Sequence, residues 1–468
     1  MLKRVALVVV LFLCGVLVFI NIIGVAQAKE TTIKIYIRNY IPGSIPEEVG
    51  EPLKMARVVA DEYEALHPGV KIEFVEVPGD TRAWTITQQL GEIAPELIWQ
   101  QAEYTWEDVG KEWWVNLDPY LEKPNPYVEG NKRWIDIFIS AERFNARRAP
   151  NGHMYIIPLD QVETIIFYNK DIFEEVGVDV PKTWKEFMDI QAKLKKAGYA
   201  TFGLQAYRAL DWVADMLLTM LYDEIKDELD LDASGYLEPK EVCRAIKQGY
   251  LAPNNPRHRE VWKLLGEWRS YWQENLDISS DDLLRQFVTK KVAMVWDGSW
   301  SVRRLTLDPL LDFRWGTFYF PKLTKEDSSF AIGVNPPGVG GATCEQLAIS
   351  AKTVRKKDNL EEVIDFLMFV TSPQNVGRIV NEGGMFIPNV KDVTILPELE
   401  VFQEILDYKY CLVRLYRSGL GGEFQDKYKR LVPVYLDNEI SLDEFMQKFG
   451  DILNEAADEL IAQEGWEF

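Results

Sequence analysis

Strand and helix patterns alternate between Thr32 and Trp99. Apolar residues alternate from Thr32 to Ile37, as in a half-buried strand, and recur at helical spacing from Pro52 to Leu66. Residues 67–79 return to a strand between turn residues, a helix is indicated from Trp84 to Leu90, and a short apolar run ends at Trp99. This order predicts an α/β domain with a largely parallel sheet. In such sheets, ligands bind at the loops that leave the carboxyl ends of the strands.

The amino terminus has the pattern of a secretory signal. Lys3 and Arg4 precede an apolar run from Val5 to Val25, and the small-residue pattern Ala26-Gln27-Ala28 follows. The pattern predicts a signal peptide, residues 1–28, and a protein that is periplasmic, secreted or associated with the cell surface. Because the apolar run is long enough to cross a bilayer as a helix, an uncleaved membrane anchor is the alternative.

The remaining chain is long and acidic. Removal of 28 residues from 468 leaves 440, more than one core usually serves, so two lobes are expected. Without Lys3 and Arg4 the formal net charge changes from −21 to −23, which argues against nucleic acid and anionic lipid as partners. Cys243, Cys344 and Cys411 are widely spaced and odd in number, so neither a disulfide framework nor a zinc cluster is expected.

Three sequence blocks carry a family resemblance. Residues 154–187 contain a proline-bearing strand, then Phe167-Tyr168-Asn169-Lys170, then Pro181-Lys182-Thr183-Trp184, in which Thr183 is a plausible helix N-cap. The other two blocks are FVTKKVAMVWDGSW, residues 287–300, and VIDFLMFVTSPQNVGRIVNEGGMFIPN, residues 363–389. In this order the blocks resemble the bacterial extracellular solute-binding proteins, the receptors that feed ATP-binding-cassette (ABC) sugar importers.

The resemblance implies a two-lobed α/β fold of the periplasmic-binding-protein type. Hinge motion would close the lobes on a ligand in the cleft between them. By analogy, the first lobe would comprise residues 29–161 with 345–400, and the second residues 162–344 with 401–468. The second lobe would carry a helical insertion. The resemblance further implies a monomer that delivers its ligand to the membrane subunits of an ABC importer.

A sugar site needs two kinds of side chain. Aromatic rings stack on the C–H patches of a sugar, and carboxylates and amides pair with its hydroxyls. The sequence places such mixtures at the loops where the resemblance puts ligand. The candidate binding residues are Trp99, Gln100, Gln101, Asp160, Asp211, Trp212, Trp296, Asp297, Gly298, Trp300, Met385 and Phe386. Asp297, Gly298 and Trp300 are the strongest candidates. Asp297 would accept hydrogen bonds from ligand hydroxyls, Gly298 would let the backbone approach the ligand closely, and Trp300 would offer a ring face.

The stretch DLDASGYLEPKE, residues 230–241, follows the ligand schedule of an EF-hand calcium loop. Its departure from the strict pattern is a serine at the fifth position, and Gly235 occupies the sixth. Helical patterns flank the stretch, so a structural Ca²⁺ in the second lobe is predicted, with an acidic solvated turn as the alternative. The predicted ligands are Asp230, Asp232, Ser234, Tyr236 through its carbonyl, Glu238 and Glu241.

Enzyme signatures are lacking in the sequence. There is no glycine-rich phosphate loop, no nucleophile elbow and no pair of zinc ligands, and the three histidines are isolated. Asp281-Asp282 could serve a secreted glycosidase, although helix capping explains them better. The favoured function is a receptor for a neutral oligosaccharide. A receptor for a cationic or peptide ligand is the alternative, because the chain is acidic.

Overall fold

The computed structural model describes residues 30–139, 144, 147–149, 151–334, 344–405, 413–416 and 418–468, with the backbone alone at 403–405. The segment interpreted as a signal peptide, residues 1–28, and Cys411 lie outside these residues. Within them, no helix combines the length and the apolar character needed to cross a bilayer.

The strands of the described residues are numbered in chain order. They are β1 Thr31–Tyr36, β2 Val70–Phe74, β3 Leu97–Trp99, β4 Ile156–Pro158, β5 Asp160–Gln161, β6 Thr164–Asn169, β7 Phe202–Gly203, β8 Met294–Gly298, β9 Trp315–Phe318, β10 Gln346–Ile349 and β11 Ile387–Pro388.

The α-helices of the same residues are numbered likewise. They are α1 Met55–Leu66, α2 Thr81–Leu90, α3 Ala102–Asp108, α4 Asp118–Leu121, α5 Lys170–Val176, α6 Trp184–Lys196, α7 Ala206–Arg208, α8 Ala214–Tyr222, α9 Lys226–Leu229, α10 Pro239–Lys247, α11 Pro256–Trp268, α12 Ser280–Val288, α13 Ser301–Leu307, α14 Ala351–Lys357, α15 Leu360–Val370, α16 Pro373–Gly383, α17 Gly422–Leu436 and α18 Leu442–Glu464.

Single turns complete the secondary structure. A π-helical turn, Ala209–Val213, joins α7 to α8. The 3₁₀ turns are Pro46–Glu48, Val109–Lys111, Trp134–Ile137, Asp223–Ile225, Arg269–Tyr271 and Pro397–Ile405.

The first lobe is built on the sheet β2-β1-β3-β10-β4. β1 runs parallel to β2 and β3, as the alternation of strands and helices predicts, and β10 pairs antiparallel with β3 and β4. Helix α1 buries Ala56, Val59, Ala60 and Tyr63 on one face. This spacing is the reason that the segment is helical and packs on the sheet.

The second lobe is built on the sheet β7-β8-β6-β9, with β6 between β8 and β9. Helix α6 starts at Thr183, whose hydroxyl accepts a hydrogen bond from the amide of Glu186, and the Glu186 side chain completes a capping box. The predicted N-cap is therefore confirmed. The tail helices α17 and α18 pack on the helical insertion, where Trp262, Tyr428 and Phe449 are buried together.

The chain crosses between the lobes beside the short antiparallel pair β5-β11. By the family analogy, the last return to the second lobe falls at residue 400. In the structure Val390 packs in the core of the first lobe, whereas Ile387, Ile395, Leu399 and Phe402 pack in a core of the second. The segment that precedes residue 400 therefore contacts both lobes, and the boundary at 400 stays a prediction. The two sheets and their separate cores confirm the prediction of a two-lobed α/β fold.

Candidate ligand-binding cleft

The segment Trp296 to Trp300 lies where β8 ends and α13 begins. Trp300 is half-buried and packs against the main cores of both lobes, so it lies at the lobe boundary. A Cβ added to Gly298 would overlap the Trp300 ring. The glycine thus lets this ring lie over the strand end, rather than making room for the close ligand approach that the sequence suggested.

Trp212 forms the second ring of an aromatic cluster. It lies in the π-helical turn Ala209–Val213, a local geometry that is frequent at functional sites. Its ring centroid is 6.0 Å from that of Trp300 and 5.9 Å from that of Trp296. Trp296 itself is buried and stacks on Phe320 at 4.8 Å. Trp296 therefore supports the cluster from the core, whereas Trp300 faces the boundary.

Asp297 is held by a buried cation. Its Oδ1 lies 3.0 Å from Nη2 of Arg208, and the side chains of both residues are almost fully buried. Arg208 also donates from Nη1 to the carbonyl of Trp296 at 2.6 Å and lies 4.7 Å from the Trp212 ring. An ion pair without solvent is kept in place by such additional partners. Arg208, which the sequence did not single out, thus fixes the cluster.

Hydroxyl and indole groups near this cluster are buried without a hydrogen-bond partner among the described residues. They are Thr164 Oγ1, Ser299 Oγ, Ser301 Oγ and Trp296 Nε1. Thr164 is paired with Gly298 between neighbouring strands, so these atoms lie close to the segment that carries Trp300. A buried polar group without a partner costs about 1–3 kcal/mol. The segment around Trp300 therefore contains hydrogen-bonding groups that the described residues leave unused.

Asp211 lies beside Arg414. It is buried, and its Oδ1 lies 3.6 Å from Nη2 of Arg414, which also approaches Asp215 at 3.5 Å. Asp215 accepts from the amide of Leu415 at 3.0 Å. The two aspartates therefore connect the π-helical turn to the segment that precedes the tail helices.

On the first lobe, Trp99 is buried at the carboxyl end of β3. Its indole donates to the carbonyl of Cys344 at 2.6 Å, and the exposed Arg38 lies 4.4 Å from its ring. Gln100 is buried, with its amide nitrogen 3.4 Å from Asp108, whereas Gln101 is half-buried before α3. These three candidates belong to the first lobe and do not join the Trp212 and Trp300 cluster.

Asp160 is fully buried in the crossover strand β5. Its oxygens accept from the amides of Cys344 and Glu345, both at 2.8 Å, and from the Tyr40 hydroxyl at 2.7 Å. Burial raises the pKa of Asp160 to about 6. Because all three donors belong to the first lobe, these hydrogen bonds fix the crossover strand β5 to that lobe.

Met385 and Phe386 are also buried in the first lobe. Phe386 meets Tyr40 edge-on, with 6.5 Å between the ring centroids. They support the loop after α16 that faces the second lobe, and Gly384 in that loop has a left-handed φ of 64°.

Glu47 is a cleft residue that sequence reasoning missed. It lies in the turn Pro46–Glu48 with a left-handed φ of 54°. Burial raises its pKa to about 7, and the charges of Asp297 and Asp281 in the second lobe add to the increase. No local sequence signal could have revealed this, because the responsible carboxylates belong to the other lobe.

The predicted calcium loop has the ligand groups close together. Single carboxylate oxygens of Asp230, Asp232 and Glu241 lie within 4.8 Å of one another. Gly235, at the sixth position, has a φ of 86°, as the sharp turn requires. Burial raises the pKa values of Asp230, Glu238 and Glu241, and neighbouring carboxylates add to each increase.

Backbone amides and helix ends hold this loop in shape. The amides of Ser234 and Gly235 donate to Asp230 at 3.0 Å, and the amide of Leu231 donates to Glu241 at 2.6 Å. Glu241 also receives the amide of Glu238 at 3.1 Å, in a capping box at the start of α10. The oxygen-rich donor set suits a hard cation of the size of Ca²⁺. Whether these groups bind calcium stays a prediction.

Two α/β lobes with crossing strands and an aromatic site at their boundary define a two-lobed ligand-binding protein. The model of the bacterial extracellular solute-binding protein family matches residues 49–377. The chain belongs to this family, and the resemblance drawn from the three sequence blocks is confirmed.

Individual relatives agree with this assignment. The multiple sugar-binding protein of Streptococcus mutans is 23% identical over 382 residues, 77% of this chain and 76% of that protein. The structure of SBP RafE in complex with raffinose has a TM-score of 0.63 at 18% identity and covers 91% of this chain and all of that one. The GacH receptor of Streptomyces glaucescens, solved unliganded and with acarbose, has a TM-score of 0.64 at 17% identity over 92% of this chain and 98% of that one. These relatives are described as binding proteins or receptors, not enzymes.

Proposed function

We propose that this protein is an extracellular receptor that binds a neutral oligosaccharide between its lobes and delivers it to an ABC importer. The carrying observation is the pair of Trp212 and Trp300 rings, 6.0 Å apart at the lobe boundary. Rings of this kind stack on the C–H faces of sugars, and opening of the lobes would uncover the face of Trp300 that now packs on the first lobe. The sugar-binding relatives support the same ligand class.

The polar groups of the cleft support a neutral ligand. Arg208 and Asp297 neutralise each other, so this pair presents no net charge. The hydroxyls of Thr164, Ser299 and Ser301 are buried without a partner among the described residues, and ligand hydroxyls would satisfy them.

The experiment is a thermal melt of the mature chain with raffinose, xylo-oligosaccharides, chito-oligosaccharides, oligogalacturonates and spermidine. A ligand that binds the folded protein alone raises the melting temperature. We expect one neutral class to do so, and Trp300→Ala to weaken its binding about tenfold or more, equivalent to about 1.4 kcal/mol. Trp315→Ala is the matched control, because Trp315 is another half-buried tryptophan of the second lobe and packs on Phe167.

A cationic ligand is the second candidate. Asp297 and Asp281 lie close enough to Glu47 to raise its pKa, and the chain carries a net charge of −21. A melting shift with spermidine, and none with any neutral sugar, would replace the carbohydrate proposal with this one.

Receptor, rather than enzyme, is the proposed role. Incubation with the bound oligosaccharide should release no shorter product, and a steady release would overturn this part. Expression of the full chain should place the protein outside the cytoplasm, either free or held at the membrane by residues 1–28. A monomer is expected by light scattering. Uptake of the labelled sugar should fall when the protein is deleted, since the importer depends on it.

The loop at residues 230–241 is proposed as a structural calcium site. Support comes from the three carboxylates within 4.8 Å of one another and the elevated pKa values of its acids. Extracellular loops of this type bind calcium at about 0.1–1 mM. Calcium at ten times its dissociation constant would stabilise the protein by about 1.4 kcal/mol.

Calorimetric titration with CaCl₂, and melts with calcium and with EGTA, test this site. We expect Glu241→Gln to abolish the response. Asp227→Asn is the control, since Asp227 is an exposed acid on the preceding helix and is not a predicted ligand. Equal melting temperatures with calcium and with chelator would identify the loop as an acidic turn.

A further inference from the structure

Arg303 joins the two lobes through main-chain carbonyls. It lies on α13, three residues after Trp300, and is buried. Its Nε donates to Val49 O at 3.1 Å and its Nη2 to Glu51 O at 3.2 Å. Its Nη1 donates to Glu382 O at 2.9 Å and Gly383 O at 3.1 Å. All four acceptors belong to the first lobe.

The acceptors are ones that a cation satisfies well. Glu382 and Gly383 are the last residues of α16, whose terminal carbonyls lack intrahelical partners and carry the negative end of the helix dipole. Val49 is the C-cap of the turn Pro46–Glu48. A guanidinium has five N–H donors in a planar fork and reaches separate acceptors at once, which the compact ammonium of lysine does not.

The receiving surface of the first lobe is one connected unit. The Glu382 carboxylate accepts from the amides of Lys54 at 3.0 Å and Met55 at 2.7 Å, which ties the end of α16 to the start of α1. The loop 49–51 leads directly into that start. When Arg303 holds these carbonyls, it therefore holds α1, α16 and the turn that carries Glu47.

The loop is shaped around this side chain. Gly50 has a left-handed φ of 81°, and a Cβ there would lie 2.8 Å from Nη2 of Arg303 and 2.9 Å from Leu307 Cδ1. Residues other than glycine are thus disfavoured both by conformation and by space. Burial also lowers the pKa of Arg303, so the guanidinium gives up hydration that the carbonyls replace only while the lobes are together.

We propose that Arg303 is a closure clasp, a positioning residue that sets the population of the closed form without being needed as a ligand contact. The proposal rests on the proposed function only in that a ligand binds between the lobes. Loss of the clasp favours the open form, in which Arg303 and the four carbonyls are hydrated. Apparent affinity falls with the population of the binding-competent closed form.

Small-angle X-ray scattering of the unliganded full mature chain tests the clasp. We expect Arg303→Gln to give a larger radius of gyration than the wild type, and Arg303→Lys an intermediate value. Arg314→Gln is the control. Arg314 is another arginine of the second lobe and pairs with Asp171 of the same lobe at 2.7 Å, so its loss should leave the radius unchanged.

Gly50→Ala provides an independent variant from the other side of the contact and should open the protein as well. Identical scattering curves for the wild type, Arg303→Gln and Gly50→Ala, all with cooperative melts, would overturn the clasp. The measurement contains no ligand, so failure of raffinose or any other sugar to bind would count against the proposed function and leave this result standing. If a neutral sugar binds, Arg303→Gln should weaken it about tenfold or more while retaining the same order of preference among sugars.

Discussion

At the scale of single residues, the cleft separates tryptophans that the sequence treats alike. Trp99 and Trp296 are buried within one lobe, whereas Trp300 contacts both cores. The charged groups differ in the same way. Asp297 is held by Arg208 in the second lobe, but Glu47 faces carboxylates across the boundary. The proposed ligand recognition and closure therefore rest on the few side chains that touch both lobes.

Asp297→Asn should destabilise the protein strongly. It removes the charge that neutralises the buried Arg208, and breaking such a pair costs about 3–5 kcal/mol. Urea unfolding at neutral pH measures the change. Asp171→Asn, in an exposed pair with Arg314, should cost less than about 1 kcal/mol. Equal effects of the two substitutions would show that the buried pair adds no more stability than the exposed one.

Glu47 should make the stability of the closed protein fall as pH rises. Its pKa is about 7 in the structure and 4.5 for an ordinary glutamate, so the folded closed form binds the proton more tightly. Its contribution to stability is complete below about pH 4.5 and is lost as pH rises through about 7.

Melting curves from pH 4 to pH 8 test this expectation. Arg304 partly opposes the pKa increase, and Asp297, Asp281 and Glu48 favour it. Glu47→Gln should lose less stability than the wild type over this range, by about 1 kcal/mol or more. Glu76→Gln, at an exposed glutamate of the first lobe, should follow the wild type. Parallel profiles for Glu47→Gln and the wild type would refute the assignment.

At the scale of elements, short-range signals and long-range packing have different roles. Thr183 starts α6 through a capping box that its own sequence contains. The π-helical turn before α8, in contrast, interrupts a helix at the place where Trp212 meets Trp300. The tail helices α17 and α18 pack on the insertion and share its core.

Phe449→Ala on α18 should destabilise the second lobe by about 3–5 kcal/mol, because a large buried ring is lost. Phe449 lies 5.1 Å from Trp262 and 5.0 Å from Tyr428, centroid to centroid. Denaturant unfolding followed by tryptophan fluorescence measures the loss. Gln447→Ala, exposed on the same helix, should change stability by no more than about 0.5 kcal/mol. A similar small effect for Phe449→Ala would mean that the tail is dispensable to that core.

At the scale of the whole molecule, the two lobes have separate cores joined by crossing strands, Trp300 and Arg303. The proposed closure requires such an arrangement, in which each lobe has its own core. The proposed ligand site lies between the lobes and the proposed ion site, loop 230–241, within the second, so the two should act on different parts of the protein.

Differential scanning calorimetry should distinguish these effects. Calcium should raise the melting temperature of the second lobe alone. At ten times its dissociation constant, it should increase that lobe's free energy of unfolding by about 1.4 kcal/mol. An oligosaccharide between the lobes should raise the melting temperatures of both lobes. Glu241→Gln should abolish the calcium shift and keep the sugar shift. A single transition that calcium moves as a whole would show that the lobes unfold together.

The sequence by itself determined the features that arise from neighbouring residues. Apolar periodicity specified the alternating strands and helices around β1 and α1, Thr183 with Glu186 specified a cap, and the spacing in DLDASGYLEPKE specified a loop with clustered carboxylates. The three family blocks located the segment that ends in Trp300. These signals are readable because hydrogen-bonding geometry and helical period depend on residues a few positions apart.

The tertiary structure alone decided which candidates face the cleft. Trp296 and Trp300 are four positions apart, yet one lies in a core and the other between two cores. Arg303 finds an acceptor at Glu51, 252 positions away, and the pKa of Glu47 rises because of acids in the opposite lobe. Burial, charge and hydrogen bonding at the boundary depend on how distant segments pack, and no local pattern of residues encodes that distance.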